Sequence, residues 1–150
     1  ILDDPSIVAG RRVLDFAAGS GLVAIAAAKA GARSITAAEI DRFAAAAIAL
    51  NAGLNDVAVP VTLEDLVGST GPWDLVLAGD ICYERPMAER VTAWLRDLVK
   101  RGREVMIGDP GRSYLPKSGL QEVARHRVPT SLELEDRPER ETVIWRLLAE

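Results

Sequence analysis

Four short apolar runs, each closed by glycine or a carboxylate and each separated from the next by a polar turn or a helix-like segment, most constrain how this chain folds. Arg12-Val-Leu-Asp-Phe16 runs into Ala17-Ala-Gly-Ser-Gly21, Ser34-Ile-Thr-Ala-Ala38 ends at Glu39, Trp73-Asp-Leu-Val-Leu-Ala78 at Gly79-Asp80, and Glu104-Val-Met-Ile-Gly108 at Asp109-Pro-Gly-Arg112. Between them lie the Ala-rich Leu22 to Ala30, stopped by Gly31, and a segment that Asp41 caps and that runs to Leu50 or Asn51. A third helix starts at Pro86, placed at its first position, with Met87, Val91, Trp94, Leu95 and Leu98 on one face and Glu89, Arg90, Arg96, Asp97 and Lys100 opposite. Val57 to Val61 is read as one further strand, and Val123 to Leu134 and Thr142 to Leu148 as a terminal hairpin around the charged turn Glu135 to Glu141. Parallel strands need crossover connections, so this alternation predicts an α/β fold: a Rossmann-like, doubly wound, mostly parallel sheet whose last strands are antiparallel. Ligands of such sheets bind at the carboxyl ends of the strands.

At 150 residues and 49% hydrophobic, the chain has enough material for one domain over residues 1–150 and hardly enough for two. The net charge of −4, with basic residues scattered, argues against nucleic acid as a partner. The longest apolar runs, such as Phe43 to Leu50, fall short of the roughly 20 residues that cross a bilayer, so no membrane partner is expected. One cysteine, Cys82, and one histidine, His126, offer neither a disulfide nor metal-ligand spacing, and no metal is expected. A cytoplasmic monomer is the resulting expectation. The chain starts at Ile1 and enters structure almost at once, so natural N-terminal residues are expected to precede it.

The strand ends carry the chemistry. Gly19 and Gly21 let backbone approach a ligand ahead of a helix N-terminus, and Glu39, 20 residues after Gly19, can accept hydrogen bonds from a ribose diol. Gly19-Ser-Gly-Leu-Val-Ala24 also fits a loose dinucleotide pattern, which keeps a nicotinamide cofactor in view. Asp15 separates the two readings. A carboxylate there sits badly beside a pyrophosphate but suits a ligand bearing sulfonium and ammonium groups, as S-adenosyl-L-methionine does.

Val13-Leu-Asp-Phe-Ala-Ala-Gly-Ser-Gly21, Ala38-Glu-Ile-Asp41, Asn51 to Asn55, Trp73-Asp-Leu-Val-Leu77 and Gly79-Asp-Ile-Cys-Tyr83 resemble the ordered motifs of class I S-adenosylmethionine-dependent methyltransferases. The Asp-x-x-Tyr after the fourth strand and Ile107-Gly-Asp-Pro-Gly-Arg112 after the fifth are similar to the seven-stranded protein-lysine methyltransferases, closest to the electron-transfer flavoprotein β-subunit lysine methyltransferase family. The resemblance implies a seven-stranded sheet, S-adenosyl-L-methionine as cofactor, and a protein substrate such as that β-subunit. It implies that Asp15, Ala17, Gly19, Ser20 and Gly21 hold the methionine part, Glu39 the ribose and Asp65 the adenine, with Ile40, Leu66 and Gly79 also lining the cofactor. Asp80 and Tyr83 then bind and orient the lysine nitrogen, and Asp109 and Arg112 contact substrate. Two departures accompany it: Ala17 stands where many relatives carry glycine, and the segment that precedes the sheet in this family is expected upstream of Ile1.

Plainer roles stand beside these. Asp15 and Asp65 can cap turns or helices, Asp80 can be a turn residue, Tyr83 and Trp94 can be core aromatics, and Asp109-Pro-Gly-Arg112 is foremost a turn. Two further functions share the cofactor motifs: methyl transfer to a small nitrogen nucleophile of nicotinamide type, and a cofactor-binding interaction module without catalysis.

Overall fold

A computed structural model describes residues 1–129 and 139–149. After a 3-10 turn at Pro5–Ile7 the elements run β1 (Arg12–Phe16), α1 (Leu22–Lys29), β2 (Ser34–Ala38), α2 (Arg42–Leu54), β3 (Val61–Thr62), β4 (Leu75–Gly79), α3 (Arg85–Lys100), β5 (Glu104–Asp109), β6 (Leu120–Pro129) and β7 (Glu139–Leu147). They form one seven-stranded sheet of order β3-β2-β1-β4-β5-β7-β6. β1 to β5 pair in parallel, and β7 pairs antiparallel with both β5 and β6.

The central strands are apolar on both sides because both sides are covered. Along β4, Leu75 and Leu77 join Val13, Ala24, Ala27 and Ile48 beneath α1 and α2, whereas Val76 and Ala78 join Ala88, Val91, Trp94, Leu95 and Leu98 of α3. Trp94 is core, as its place on the apolar stripe suggests: its ring lies 4.9 Å from that of Phe16 and its indole N–H donates to the Ser69 carbonyl at 2.8 Å. The order reverses between β1 and β4, so their carboxyl ends open the crevice where such sheets bind ligands.

Helix ends follow local chemistry. Asp41 caps α2 by accepting the Phe43 N–H at 2.8 Å. Past α1, Gly31 takes a φ of +83°, its N–H donates to the Ala28 carbonyl and that of Ala32 to Ala27, the paired bonds of a Schellman ending. Gly21 is constrained twice: its φ is +82°, and a Cβ there would lie 2.9 Å from Ile48 Cγ2 on α2.

Several boundaries differ from the sequence expectation. The expected strand Val57 to Val61 reduces to Val61–Thr62, because it lies on the sheet edge with only β2 beside it and Pro60 has no N–H to give. α2 runs on to Leu54, since Ala52 is buried and Asn55 caps the last turn on the Asn51 carbonyl. β4 starts at Leu75 rather than Trp73, and Pro86 is the second residue of α3 rather than the first. β6 begins at Leu120, opposite Leu147, and β7 begins at Glu139, so Glu139 to Glu141 belong to a strand, not to the expected turn. Charge misled the reading there: Arg127 pairs Glu141 in register, and Arg125 bridges Glu141 across the strands. The expected strand end at 130–134 and most of the expected turn lie outside the described residues.

Gly21→Ala combines a left-handed backbone with a collision against Ile48, so it should destabilise the fold by about 1–3 kcal/mol. Urea unfolding checks this, with Gly19→Ala, whose added Cβ meets nothing within 4 Å, showing strain without collision and a smaller loss.

Candidate functional site at the strand ends

Asp15 leaves β1 pointing at the start of α1. It is 2% exposed, and its Oδ2 accepts the Ala24 N–H at 2.9 Å. Gly21, the residue before the helix, has no side chain to cap it, so the preceding strand supplies the cap. The plainer capping role is therefore real, yet it leaves the charge uncompensated. Burial, with a smaller contribution from nearby Glu39, outweighs the hydrogen bond from Ala24 and pushes the Asp15 carboxyl up to about 7.

Glu39 ties two loops together. One oxygen accepts the Gly19 N–H at 2.8 Å and the other the Asp41 N–H at 2.9 Å. The glycine turn is also held by Asn51, whose amide donates to the Ser20 carbonyl at 2.9 Å, and Ala17 takes a φ of +55° in it. The alanine is accommodated in a conformation that glycine adopts more freely. Ile40 is exposed beside this turn, and Leu66 packs partly against the α3-side core. Asp65 caps its own turn through the Val67 N–H at 3.0 Å and pairs with Arg90 of α3, which holds its carboxyl below the usual range.

On the other side of the crevice, Gly79 ends β4 and Asp80 adopts a φ of +50°, its N–H bonded to the Gly108 carbonyl at 2.8 Å. Both Asp80 oxygens meet Arg112, Oδ1 on Nε and Oδ2 on Nη2, each at 2.6 Å. Asp109, 1% exposed, sets the Pro110–Arg112 turn by accepting the Gly111 and Arg112 N–H groups at 2.7 Å each. Tyr83 is 57% exposed, which removes the core-aromatic reading, while Cys82 beneath it is buried and its thiol pushed up to about 11 by burial and the nearby carboxylates. A pocket of about 340 Å³ opens beside this cluster, lined by Gly79, Asp80, Arg112, Val128, Arg140 and Thr142 among others.

The model of the ribosomal protein L11 methyltransferase (PrmA) family matches residues 2–103, from just ahead of the 3-10 turn through α3 to the residue before β5. The chain belongs to that family. It is 36% identical over 153 residues to the electron transfer flavoprotein beta subunit lysine methyltransferase of Danio rerio, an alignment covering 97% of this chain and 59% of that protein. The protein of the same name from Xenopus laevis is 37% identical over 152 residues, covering 97% and 62%. The chain thus spans about three fifths of the curated relatives it matches. In fold it is similar to the magnesium protoporphyrin IX methyltransferase of Synechocystis PCC 6803 with bound SAH, at a TM-score of 0.71 and 18% identity over 99% of this chain and 78% of the other.

The family's description is that of a methyltransferase, which weighs against the nicotinamide pattern at Gly19 to Ala24 in this chain. Two sequence-predicted clusters come together in it. Asp15, Ala17, Gly19, Ser20, Gly21 and Glu39 surround the β1 end, and Gly79, Asp80, Asp109 and Arg112 form a second group at the β4 and β5 ends. Asp65 stands apart with Arg90. Sequence reading missed Asn51 as a brace for the turn, Arg90, and the β6–β7 residues at the pocket. The first two lie on helix faces that declare no partner. The Asp80–Arg112 pair was within reach, since opposite charges close neighbouring parallel strands.

Because folding raises the Asp15 carboxyl from near 4 to about 7, its contribution to stability is whole below pH 4 and is lost as the pH climbs through 7. Asp15→Asn keeps an oxygen for the Ala24 N–H and removes that dependence, so the ligand-free variant should be more stable than wild type at pH 8, on the order of 4 kcal/mol at most. Thermal unfolding of both proteins across pH 4 to 8 checks it, and parallel curves would refute it.

Proposed function

We propose that the chain transfers a methyl group from S-adenosyl-L-methionine to a lysine side chain of a protein, with the electron-transfer flavoprotein β-subunit as the acceptor to test first. The observation that carries the reading is the placing of two unlike carboxylates at the same end of neighbouring parallel strands: Asp15 on β1, buried without a countercharge among the described residues, and Asp80, half-exposed just past the end of β4.

The residues at the β1 end fit the cofactor. A buried carboxylate held near neutrality gains its charge back when a cationic group arrives, which favours an ammonium or sulfonium neighbour. Glu39 uses one lone pair on each oxygen for backbone, and a carboxylate has about four acceptor sites, so two remain for ribose hydroxyls. A Cβ on Gly19 would meet nothing within 4 Å, which leaves the outer side of the turn open. Asp65 reaches adenine only by sharing its carboxylate with Arg90. When bound, S-adenosyl-L-methionine supplies an electrophilic methyl group on a sulfonium sulfur.

The rest falls to the chain. A lysine ammonium has no lone pair, so the site must receive it, let its proton pass to solvent at the exposed β4 end and hold the neutral amine in line. Asp80 and the Tyr83 hydroxyl are the polar side chains offered at the β4 end for that orientation. Their exposure, 48% for the Asp80 side chain and 57% for Tyr83, supports an acceptor carried on another protein rather than a small molecule enclosed in a cavity. The relatives' shared name supports the choice of first acceptor.

Asp80→Ala should reduce tritium transfer from labelled cofactor to the flavoprotein β-subunit at least about a hundredfold, the scale of losing an orienting group. Cofactor affinity by calorimetry should stay within about threefold of wild type, and retained transfer would sink the role of Asp80. Wild-type protein that binds no cofactor at all would leave a non-catalytic module.

A further inference from the structure

Asp80 poses an electrostatic problem that the geometry also answers. A carboxylate beside an amine stabilises the ammonium form and raises the amine's pKa, commonly by 1 to 3 units, which opposes the loss of the proton that methylation needs. In this structure the carboxylate does not stand alone: Arg112 meets it with two charge-assisted hydrogen bonds of 2.6 Å, one to each oxygen. The pair is built from both sides. Asp109 fixes the Arg112 backbone from the buried end of β5, and the left-handed turn at Asp80 is pinned to the Gly108 carbonyl of the same strand. The other titratable or charged groups that the described structure places around Asp80 are Asp109 at the β5 end, Cys82 and Tyr83 on its own loop, and Arg140 of β7 across the pocket. None of them takes both carboxylate oxygens as Arg112 does.

We infer that Arg112 is a positioning residue that sets the protonation state of the acceptor lysine: by pairing with Asp80 it offsets that carboxylate's charge at the β4 end, leaving it able to accept a hydrogen bond from the amine without holding it as ammonium. Asp80 is 48% exposed at its side chain against 30% for Arg112, so the carboxylate keeps an open side for the incoming nitrogen. The planar guanidinium matters because it spans both oxygens, which a lysine in its place cannot do. This inference rests on the lysine-methylation reading and deepens it.

The test is the pH profile of kcat, measured with the flavoprotein β-subunit and saturating S-adenosyl-L-methionine for wild type, Arg112→Gln and Arg112→Lys. In the enzyme–substrate complex the acid limb of kcat reports the amine's proton. Removing the cation in Arg112→Gln should move that limb about 1 to 2 pH units upward, so that the rate falls at least about tenfold near pH 7 and recovers to within about threefold near pH 10. Arg112→Lys, which keeps the charge, should leave the limb within about half a unit of wild type even where its rate is lower. Should Arg112→Gln not fold, Arg112→Met supplies the neutral side chain. Equal loss at every pH, with the limb unmoved, overturns the inference and leaves Arg112 a structural brace. A wild-type enzyme that methylates no lysine overturns the underlying reading instead, and the two failures are distinct.

Discussion

The buried carboxylate of Asp15 is the constraint on which the rest of the site depends. Its strand must be apolar to lie in the middle of a sheet covered on both sides, and the helix that follows begins at a glycine that cannot cap it. The strand's own acid therefore turns inward to meet the Ala24 N–H, and burial raises its pKa to about 7. An acid chosen for capping alone would sit at the helix start, in water, where ionisation costs little. Placing it one strand earlier and out of solvent stores an electrostatic demand that a cationic ligand satisfies.

Everything around it keeps that demand in register. Glu39 binds the glycine turn to the start of α2, Asn51 holds the same turn from further along that helix, and Ile48 fills the space that a side chain at Gly21 would need. Across the reversal of strand order, β4 and β5 deliver a second construction of the same kind, in which Asp109 fixes a turn, the turn fixes Arg112, and Arg112 holds Asp80. The sheet gives the two constructions a common floor, since Asp15 lies beside Leu77 in the β1–β4 register.

Much of this was legible in the residues. Runs such as Leu75 to Ala78, apolar at every position, declare a strand buried on both faces, and the acids and glycines that close the runs mark the ligand-binding end of the sheet. What escaped was decided by tertiary neighbours. β3 shrank because its place at the edge and Pro60 left it little to pair with, and β7 began early because its charges are matched across the hairpin, which one strand's sequence does not reveal. The pairing of Asp65 with Arg90 and of Asp80 with Arg112 joins residues 25 and 32 positions apart. Asp65, Asp80 and Arg112 were each visible as candidates; Arg90 and the two pairings were not.

The most direct measurement is the titration of the Asp15 carboxyl carbon by nuclear magnetic resonance, in the free protein and with S-adenosyl-L-methionine, using Asp15→Asn for assignment. The account predicts a midpoint of about 7 without ligand and one displaced well to the acid side with it. A carboxyl that titrates near 4 in the free protein, or one whose midpoint ignores the ligand, would contradict it.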